Sequence, residues 1–176
     1  MHDHKRTSPS TAGFTLMELV VVLSILAILA GALIPRVTRR MASARDARRI
    51  QDIQSVRDAI DQYYLETGHY PDPQRNASYG GWDVSHDGDL IPILVDKGFL
   101  SEAATDPVND ETYHYRYYVY EEGSYDCVGS GAFYVLGVKN FETEGFGEKN
   151  KGYFRCSERD WADEFAYVTG GGASME

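Results

Sequence analysis

The sequence predicts an α+β fold in which one long N-terminal helix packs on a small antiparallel sheet. Over residues 14–67, apolar side chains first form an unbroken run and then recur every three or four positions, which is helical spacing. From residue 113 onward, short segments rich in aromatic and β-branched residues alternate with Gly-rich stretches, which is typical of strands and their turns. The 176 residues leave room for one modest domain beyond the apolar run.

The apolar run covers residues 14–34 and contains a single charged side chain, Glu18. As a helix it would be about 31 Å long, which matches a hydrocarbon core of about 30 Å. A cleaved secretory signal would explain the basic residues Lys5 and Arg6 ahead of it, and a plain membrane anchor would explain its length. Neither explains Glu18, because a carboxylate in lipid costs a few kcal/mol.

The helical pattern continues beyond the apolar run to residue 67, and Gly68 is a natural C-terminal cap. A bend is expected near Gly31 and Pro35, because proline removes a backbone donor from the helix. Charged residues four apart, Arg48 with Asp52 and Arg57 with Asp61, are expected to pair on the polar face. The predicted inward stripe consists of Val37, Met41, Ala44, Ile50, Ile53, Val56, Ile60 and Tyr63.

The rest of the chain predicts a head with one short helix and a few strands. The helix is expected within residues 90–100 and ends at a glycine. Two clear strands are predicted at 113–120 and 132–138, and a weaker third at 153–156. Residues 139–151 read as a loop, residues 161–168 as a short closing element, and the last eight residues as frayed.

The head contains the two cysteines of the chain, Cys127 and Cys156. In an oxidising compartment they would form a disulfide, which is worth roughly 3–4 kcal/mol in the loop-entropy description. The alternative is a pair of unpaired buried thiols.

No pattern in the sequence predicts an enzyme. The histidines lack zinc-ligand spacing relative to the cysteines, and no nucleophile elbow, phosphate loop or dinucleotide fingerprint is present. No cofactor is expected. Calcium could find oxygen ligands at Asp106, Asn109 and Asp110, or at Asp83, Asp87 and Asp89 around His86. Their alternative role is that of ordinary turn residues.

The segment Ala12-Gly13-Phe14-Thr15-Leu16-Met17-Glu18-Leu19 resembles the class III signal of type IV pilins and type II secretion pseudopilins. The resemblance implies that a prepilin peptidase cuts between Gly13 and Phe14, that Phe14 is N-methylated, and that the apolar segment forms a filament core. It also implies the pilin fold. A second stretch, residues 63–71, with an aromatic pair, a glycine and Tyr-Pro, is similar to the same family.

The resemblance suggests a use for Glu18. Cleavage would create an ammonium group on Phe14, and in a filament the Glu18 carboxylate of one subunit would neutralise the Phe14 amine of its neighbour. The chain is then expected to divide into a cleaved leader, a transmembrane and assembly helix, an amphipathic continuation of that helix, and a globular head, at residues 1–13, 14–35, 36–68 and 69–176.

Charge separates the neck from the head. Residues 36–60 hold seven arginines against three aspartates, whereas residues 61–176 hold 22 acidic against eight basic residues. The acidic head argues against direct nucleic-acid binding. The arginines form either a solvated helix face or a contact with lipid phosphates or with the acidic head of an adjacent subunit.

The resemblance also implies where the chain is found and what it meets. Before assembly it would be a single-pass protein of the inner membrane, in contact with lipid, with its head outside the cytoplasm. It would then join a surface or periplasmic filament. The implied partners are other copies of the chain in a helical polymer, minor pilins, the prepilin peptidase, and an inner-membrane assembly platform with its ATPase.

The C-terminal third favours a pilus over a secretion pseudopilus. The acidic, Gly-rich calcium loop of major pseudopilins is not recognisable, and the cysteine spacing is similar to the disulfide-closed region of type IV pilins. We therefore expect a structural subunit of a type IV pilus-like filament that serves adhesion, motility or DNA uptake. The alternatives are a G-like pseudopilin that drives protein export by type II secretion, and a membrane-anchored binding protein that does not polymerise.

Overall fold

The computed structural model describes residues 13–127 and 131–172, except for the side chain of Ala32. It divides into two compact units, residues 1–40 and 41–176, which are described separately below. A single helix, α1 (Leu16–Thr67), contributes residues to both units. The result is the α+β architecture that the sequence predicts, a long helix packed on a small antiparallel sheet.

The helix ends where the sequence predicts. Gly68 adopts a left-handed conformation with φ of 81°. Its N–H donates to the carbonyl of Tyr64 at 2.8 Å, which satisfies one of the last carbonyls of the helix. A side chain other than glycine would be strained in this conformation.

The second unit contains a four-stranded antiparallel sheet in the order β1-β2-β3-β6. A separate two-stranded sheet is formed by β4 and β5. Two short helices, α2 and α3, lie in the connections. The bounds are β1 Asp83–Val84, α2 Pro92–Asp96, β2 Tyr115–Tyr120, β3 Phe133–Val138, α3 Phe146–Lys149, β4 Arg155–Cys156, β5 Arg159–Asp160 and β6 Tyr167–Gly171.

Strand β3 is buried along its whole length because both faces of the sheet are covered. Alternate side chains of a strand point to opposite faces. Tyr134, Leu136 and Val138 pack with the α1 residues Ile53, Val56 and Ile60. On the other face, Phe133 and Val135 pack with aromatic residues from the C-terminal part of the head, which are Phe154, Trp161 and Phe165.

The tyrosines of the sheet are used for internal packing. Tyr115 and Tyr117 are fully buried. The hydroxyl of Tyr115 donates to Asp52 of α1 at 2.9 Å, and that of Tyr134 donates to Asp61 of α1 at 3.2 Å. A buried phenol needs such an acceptor, so these bonds help to set the position of the sheet on the helix.

Four predictions for the C-terminal third of the head are corrected. The third strand is only β4, which pairs with β5 outside the main sheet. Residues 161–168 include a short 3-10 helix before β6 begins, and the predicted loop contains α3. Residues 169–171, expected to be frayed, complete β6.

The glycines of β6 explain part of this difference. A Cβ on Gly170 would lie 2.5 Å from the ring of Phe154, and a Cβ on Gly171 would lie 2.8 Å from the ring of Tyr134. The glycines that resemble a flexible tail in the sequence are instead positions where aromatic rings lie against the strand.

Candidate functional site

The start of α1 is closed by reciprocal hydrogen bonds between Thr15 and Glu18. The backbone N–H of Glu18 donates to the Thr15 hydroxyl oxygen at 3.2 Å. The Glu18 carboxylate accepts from the Thr15 N–H at 3.3 Å and from its hydroxyl at 3.2 Å. This is a capping box, a pattern readable from Thr-x-x-Glu but not predicted above. Glu18 therefore has a local role that requires no second subunit.

The residues around the predicted cleavage point are accessible. Gly13 and Phe14 precede the first residue of the helix, and the Phe14 side chain is 83% exposed. Exposed chain outside regular structure suits a peptidase, and cleavage itself remains a prediction. Residues 1–12 of the predicted leader lie outside the described residues.

The apolar part of α1 is long and apolar enough to cross a membrane. Its described side chains are exposed, including Leu19, Leu23, Leu26 and Leu29. The hydroxyl of Ser24 donates to the carbonyl of Val20 at 2.8 Å, so this polar group is satisfied within the helix, as a lipid environment requires.

The predicted bend lies inside a continuous helix. Pro35 is within α1, and the hydroxyl of Thr38 donates to the carbonyls of Ile34 at 3.2 Å and Pro35 at 3.1 Å. The bend at Gly31 and Pro35 remains a prediction.

The arginines of the neck are not equivalent. Arg36, Arg39 and Arg40 are exposed, as a basic face requires. The pairs predicted on the polar face are present, with Arg48 at 3.6 Å from Asp52 and Arg57 at 3.9 Å from Asp61. Arg49, however, is completely buried.

Arg49 lies at the centre of a charge cluster, which we define as Arg45, Asp46, Arg49, Asp106 and Glu142. Arg49 Nε and Nη2 donate to the two carboxylate oxygens of Asp106 at 2.7 and 2.9 Å. Its Nη1 donates to Asp46 at 2.6 Å and to Glu142 at 2.9 Å. Arg45 also binds Glu142, and its Nε donates at 2.8 Å. From the sequence, Arg49 is one of the seven neck arginines, expected as part of a solvated face or of an outward contact, and this cluster is not predicted.

The electrostatics of the cluster favour the ionised forms of Arg49 and Glu142. Burial opposes the charge of Arg49, but the hydrogen bonds and charges of Asp106, Glu142 and Asp46 outweigh it and raise the pKa of the guanidinium. The hydrogen bond from Arg45 lowers the pKa of Glu142, against a smaller effect of burial and together with Arg49.

The structure gives the three calcium candidates other partners. Both oxygens of Asp106 bind Arg49, and one also accepts the N–H of Val108 at 2.8 Å. The Asn109 side chain accepts the hydroxyl of Ser85 at 2.9 Å. Asp110 accepts the N–H groups of Thr112 and Tyr113 at 2.9 and 2.8 Å. Calcium takes six to eight oxygen ligands, and Asp106 does not fit the ion as placed, because both of its oxygens are held by a guanidinium.

Cys127 and Cys156 form a disulfide, and their Cα atoms are 4.7 Å apart. It connects the segment after β2 to β4. Nearby, the Arg159 guanidinium lies 4.8 Å from the ring centre of Tyr125 and 5.1 Å from that of Trp161.

Comparison with known proteins identifies the N-terminal segment. The model of the prokaryotic N-terminal methylation motif matches residues 9–34. A relative from Escherichia coli K12, named type II secretion system core protein G, is 26% identical over 155 residues, which cover 83% of this chain and 99% of the relative. The chain is thus similar to type IV pilins and pseudopilins in its N-terminal segment, and to core protein G over most of its length.

Other relatives carry the same name but align over shorter stretches. The protein from Vibrio cholerae is 30% identical over 64% of this chain and 58% of its own length. The protein from Pseudomonas aeruginosa is 39% identical over 36% of this chain and 45% of its own length. No solved structure is significantly similar to the chain. Within the family, these relatives favour the pseudopilin alternative over the pilus subunit that the C-terminal third of the sequence suggested.

Proposed function

We propose that the chain is a pseudopilin of a type II secretion system, a structural subunit that polymerises through its N-terminal helix and helps to drive protein export. The observation that carries the proposal is the alignment with core protein G of Escherichia coli over almost that protein's whole length. The motif at residues 9–34 supports processing by a prepilin peptidase. Among the comparisons, a pilus subunit has only the family-level match in its favour.

The proposed life cycle begins in the inner membrane. The peptidase removes residues 1–13, the new N-terminus at Phe14 is methylated, and residues 14–35 span the bilayer while residues 36–68 continue the helix to the head. The apolar side chains in the first part of α1 support this division. They are exposed in the single chain, so lipid or other subunits would have to cover them. The head, residues 69–176, lies outside the cytoplasm.

Assembly exchanges lipid for protein. In the proposed filament, Glu18 of one copy neutralises the Phe14 amine of another, which removes two charges from apolar surroundings together. The partners are further copies of the chain, minor pseudopilins, and the inner-membrane assembly platform with its ATPase. No catalytic role is proposed for any residue.

Gene deletion in the encoding organism tests the function. We expect the deletion to stop export of proteins that leave by type II secretion, with surface pili and twitching unchanged, and the wild-type gene to restore export. Loss of pili or twitching with normal export would overturn the secretion role in favour of the pilus subunit. A deletion that changes neither, in a strain where the protein never forms cross-linked oligomers, would point to the non-polymerising binding protein.

Mass spectrometry tests processing independently of the filament type. We expect the membrane-purified protein to start at Phe14 with one added methyl group. An intact Met1, or a new N-terminus after Ala32, would contradict the proposed maturation.

A further inference from the structure

The charge cluster around Arg49 joins three segments that are distant in the sequence. Asp46 and Arg49 come from α1, Asp106 from the turn that precedes β2, and Glu142 from the connection after β3. Asp46 also accepts the backbone N–H groups of Glu142 and Thr143, at 3.0 and 2.8 Å. Both connections are therefore held on the same turn of the helix.

The carboxylates of the cluster surround a buried cation, the guanidinium of Arg49. Asp46 and Arg49 are fully buried, and Asp106 is 3% exposed. Three carboxylates at such a place would repel one another and lose their hydration, so they require a positive charge between them. Arg49 supplies it with four hydrogen bonds, and its fork matches the two oxygens of Asp106.

The geometry points to a guanidinium group, in place of a metal ion, as the cation that holds the two connections of the head on α1. We propose that Arg49 is the resident cation of the site formed by Asp46, Asp106 and Glu142, and that it excludes calcium from Asp106. A divalent ion at Asp106 would have to displace the guanidinium from both oxygens and would lie next to its positive charge. The ring of Tyr113, 5.1 Å from the guanidinium carbon, covers the arginine further.

This inference holds for either kind of filament, because it concerns only the head. The expected consequence is that the head of this chain stays folded when calcium is removed, because Arg49 supplies the positive charge between the carboxylates.

The test uses the full chain in detergent and follows thermal unfolding by the fluorescence of the buried residues Trp82 and Trp161. Arg49→Ala is compared with Arg57→Ala, which removes an exposed arginine from the same helix. We expect the Arg49 variant to unfold at a temperature lower by on the order of 10 °C, because one partner of a buried ion cluster is lost. The control is expected to unfold close to the wild type.

Chemical rescue identifies the site as one for a planar cation. Ethylguanidinium has the atoms that Arg49→Ala removes, so millimolar concentrations should raise the unfolding temperature of this variant and leave the wild type and Arg57→Ala unchanged. Equal unfolding temperatures of the two alanine variants, or no rescue of a folded Arg49→Ala, would overturn the proposal.

A calcium titration of the wild type tests whether calcium or Arg49 occupies the site at Asp106. We expect the same unfolding temperature in calcium and in chelator. A calcium-dependent rise that Asp106→Asn abolishes would show that the ion, not the arginine, occupies the site.

If Arg49→Ala does not fold, Arg49→Lys replaces it, because lysine keeps the charge without the fork. A lower unfolding temperature than the wild type supports the proposal, and an unchanged one contradicts it.

Discussion

At the scale of single residues, Glu18 has one observed role and one proposed role, and a substitution can separate them. Its carboxylate closes a capping box with Thr15, and its charge is the proposed partner of the Phe14 amine in a filament. The sequence suggested only the second role, since the carboxylate seemed to have no use in an isolated helix. Separate substitutions are therefore needed to remove the charge of Glu18 and its hydrogen bonds with Thr15.

We expect Glu18→Gln and Glu18→Val both to insert into the membrane and both to reduce the yield of sheared or cross-linked filaments by roughly tenfold or more, because both lack the charge. Glutamine can still accept the Thr15 hydrogen bonds. Thr15→Ala is the matched control, since it breaks the capping box and keeps the carboxylate, and it should assemble. Normal assembly of Glu18→Gln would reduce Glu18 to a helix cap.

His114 is buried in a neutral form. Arg116 Nε donates to its Nε2 at 2.9 Å, so the proton lies on Nδ1, which faces the carbonyl of Asp110 at 3.0 Å. Burial lowers the pKa of His114 from 6.5 to about 4, against the opposing effect of the Asp110 carbonyl and with smaller contributions from the charges of Arg116, His86 and Lys139.

Because the unfolded chain binds this proton more tightly than the folded head, stability should fall as the pH decreases from 6.5 to about 4. The loss amounts to about 3 kcal/mol over that range. Urea unfolding at several pH values should show this slope in the wild type and a flatter one in His114→Gln. The exposed His69→Gln is the control and should keep the wild-type slope. An equally steep slope in His114→Gln would exclude His114 as its source.

At the scale of elements, β3 depends on a glycine. A Cβ on Gly137 would lie 2.6 Å from the ring of Phe165 and 2.8 Å from the carbonyl of Tyr167 in the neighbouring strand. The ring therefore lies directly against the backbone of β3, and there is no room for a methyl group.

Gly137→Ala should lower the free energy of unfolding by about 2 kcal/mol, as overpacking in cores does. Gly147→Ala is the comparison, because its nearest neighbours would lie at 3.4 and 3.5 Å, which is ordinary contact. We expect that variant to unfold close to the wild type in urea. If both alanine variants are equally stable, Phe165 can move away and the packing is not tight.

At the scale of the whole molecule, the disulfide restrains the C-terminal half of the head. It closes a sequence separation of 29 residues between Cys127 and Cys156. Cys156 belongs to the cluster that covers the outer face of the sheet, so the bond connects this cluster to the segment after β2.

Replacing both cysteines by alanine should lower the free energy of unfolding by about 3–4 kcal/mol, because the unfolded chain gains conformational freedom. Urea unfolding of the double variant against the wild type measures the difference. Reducing agent should shift the wild type towards the variant and leave the variant unchanged, and an effect of reductant on both would point to another cause.

The sequence predicts the long helix, its end at Gly68 and the two central strands, because these depend on local spacing and turn chemistry. It fails in the C-terminal third, where the segments are short and glycine-rich. Residues 169–171 form a strand only because Phe154 and Tyr134 lie against their glycines, and both rings come from elsewhere in the chain.

The inward stripe of α1 shows where the limit lies. Ile53, Val56, Ile60 and Tyr63 are buried as predicted, whereas Ala44 is exposed and Ile50 only half-buried. The buried positions continue instead through Asp46 and Arg49, at the same three- and four-residue steps. That spacing was visible, but polar residues gave no reason to place them inside.

The sequence by itself determined the family segment, the helix and its period, since each is encoded in neighbouring residues. The tertiary structure alone decided that the inward face of α1 ends in charges. Arg49 can be buried only because Asp106 and Glu142, 57 and 93 residues further along the chain, are brought to it by the folded head. A contact between distant residues leaves no local periodicity from which it could be predicted.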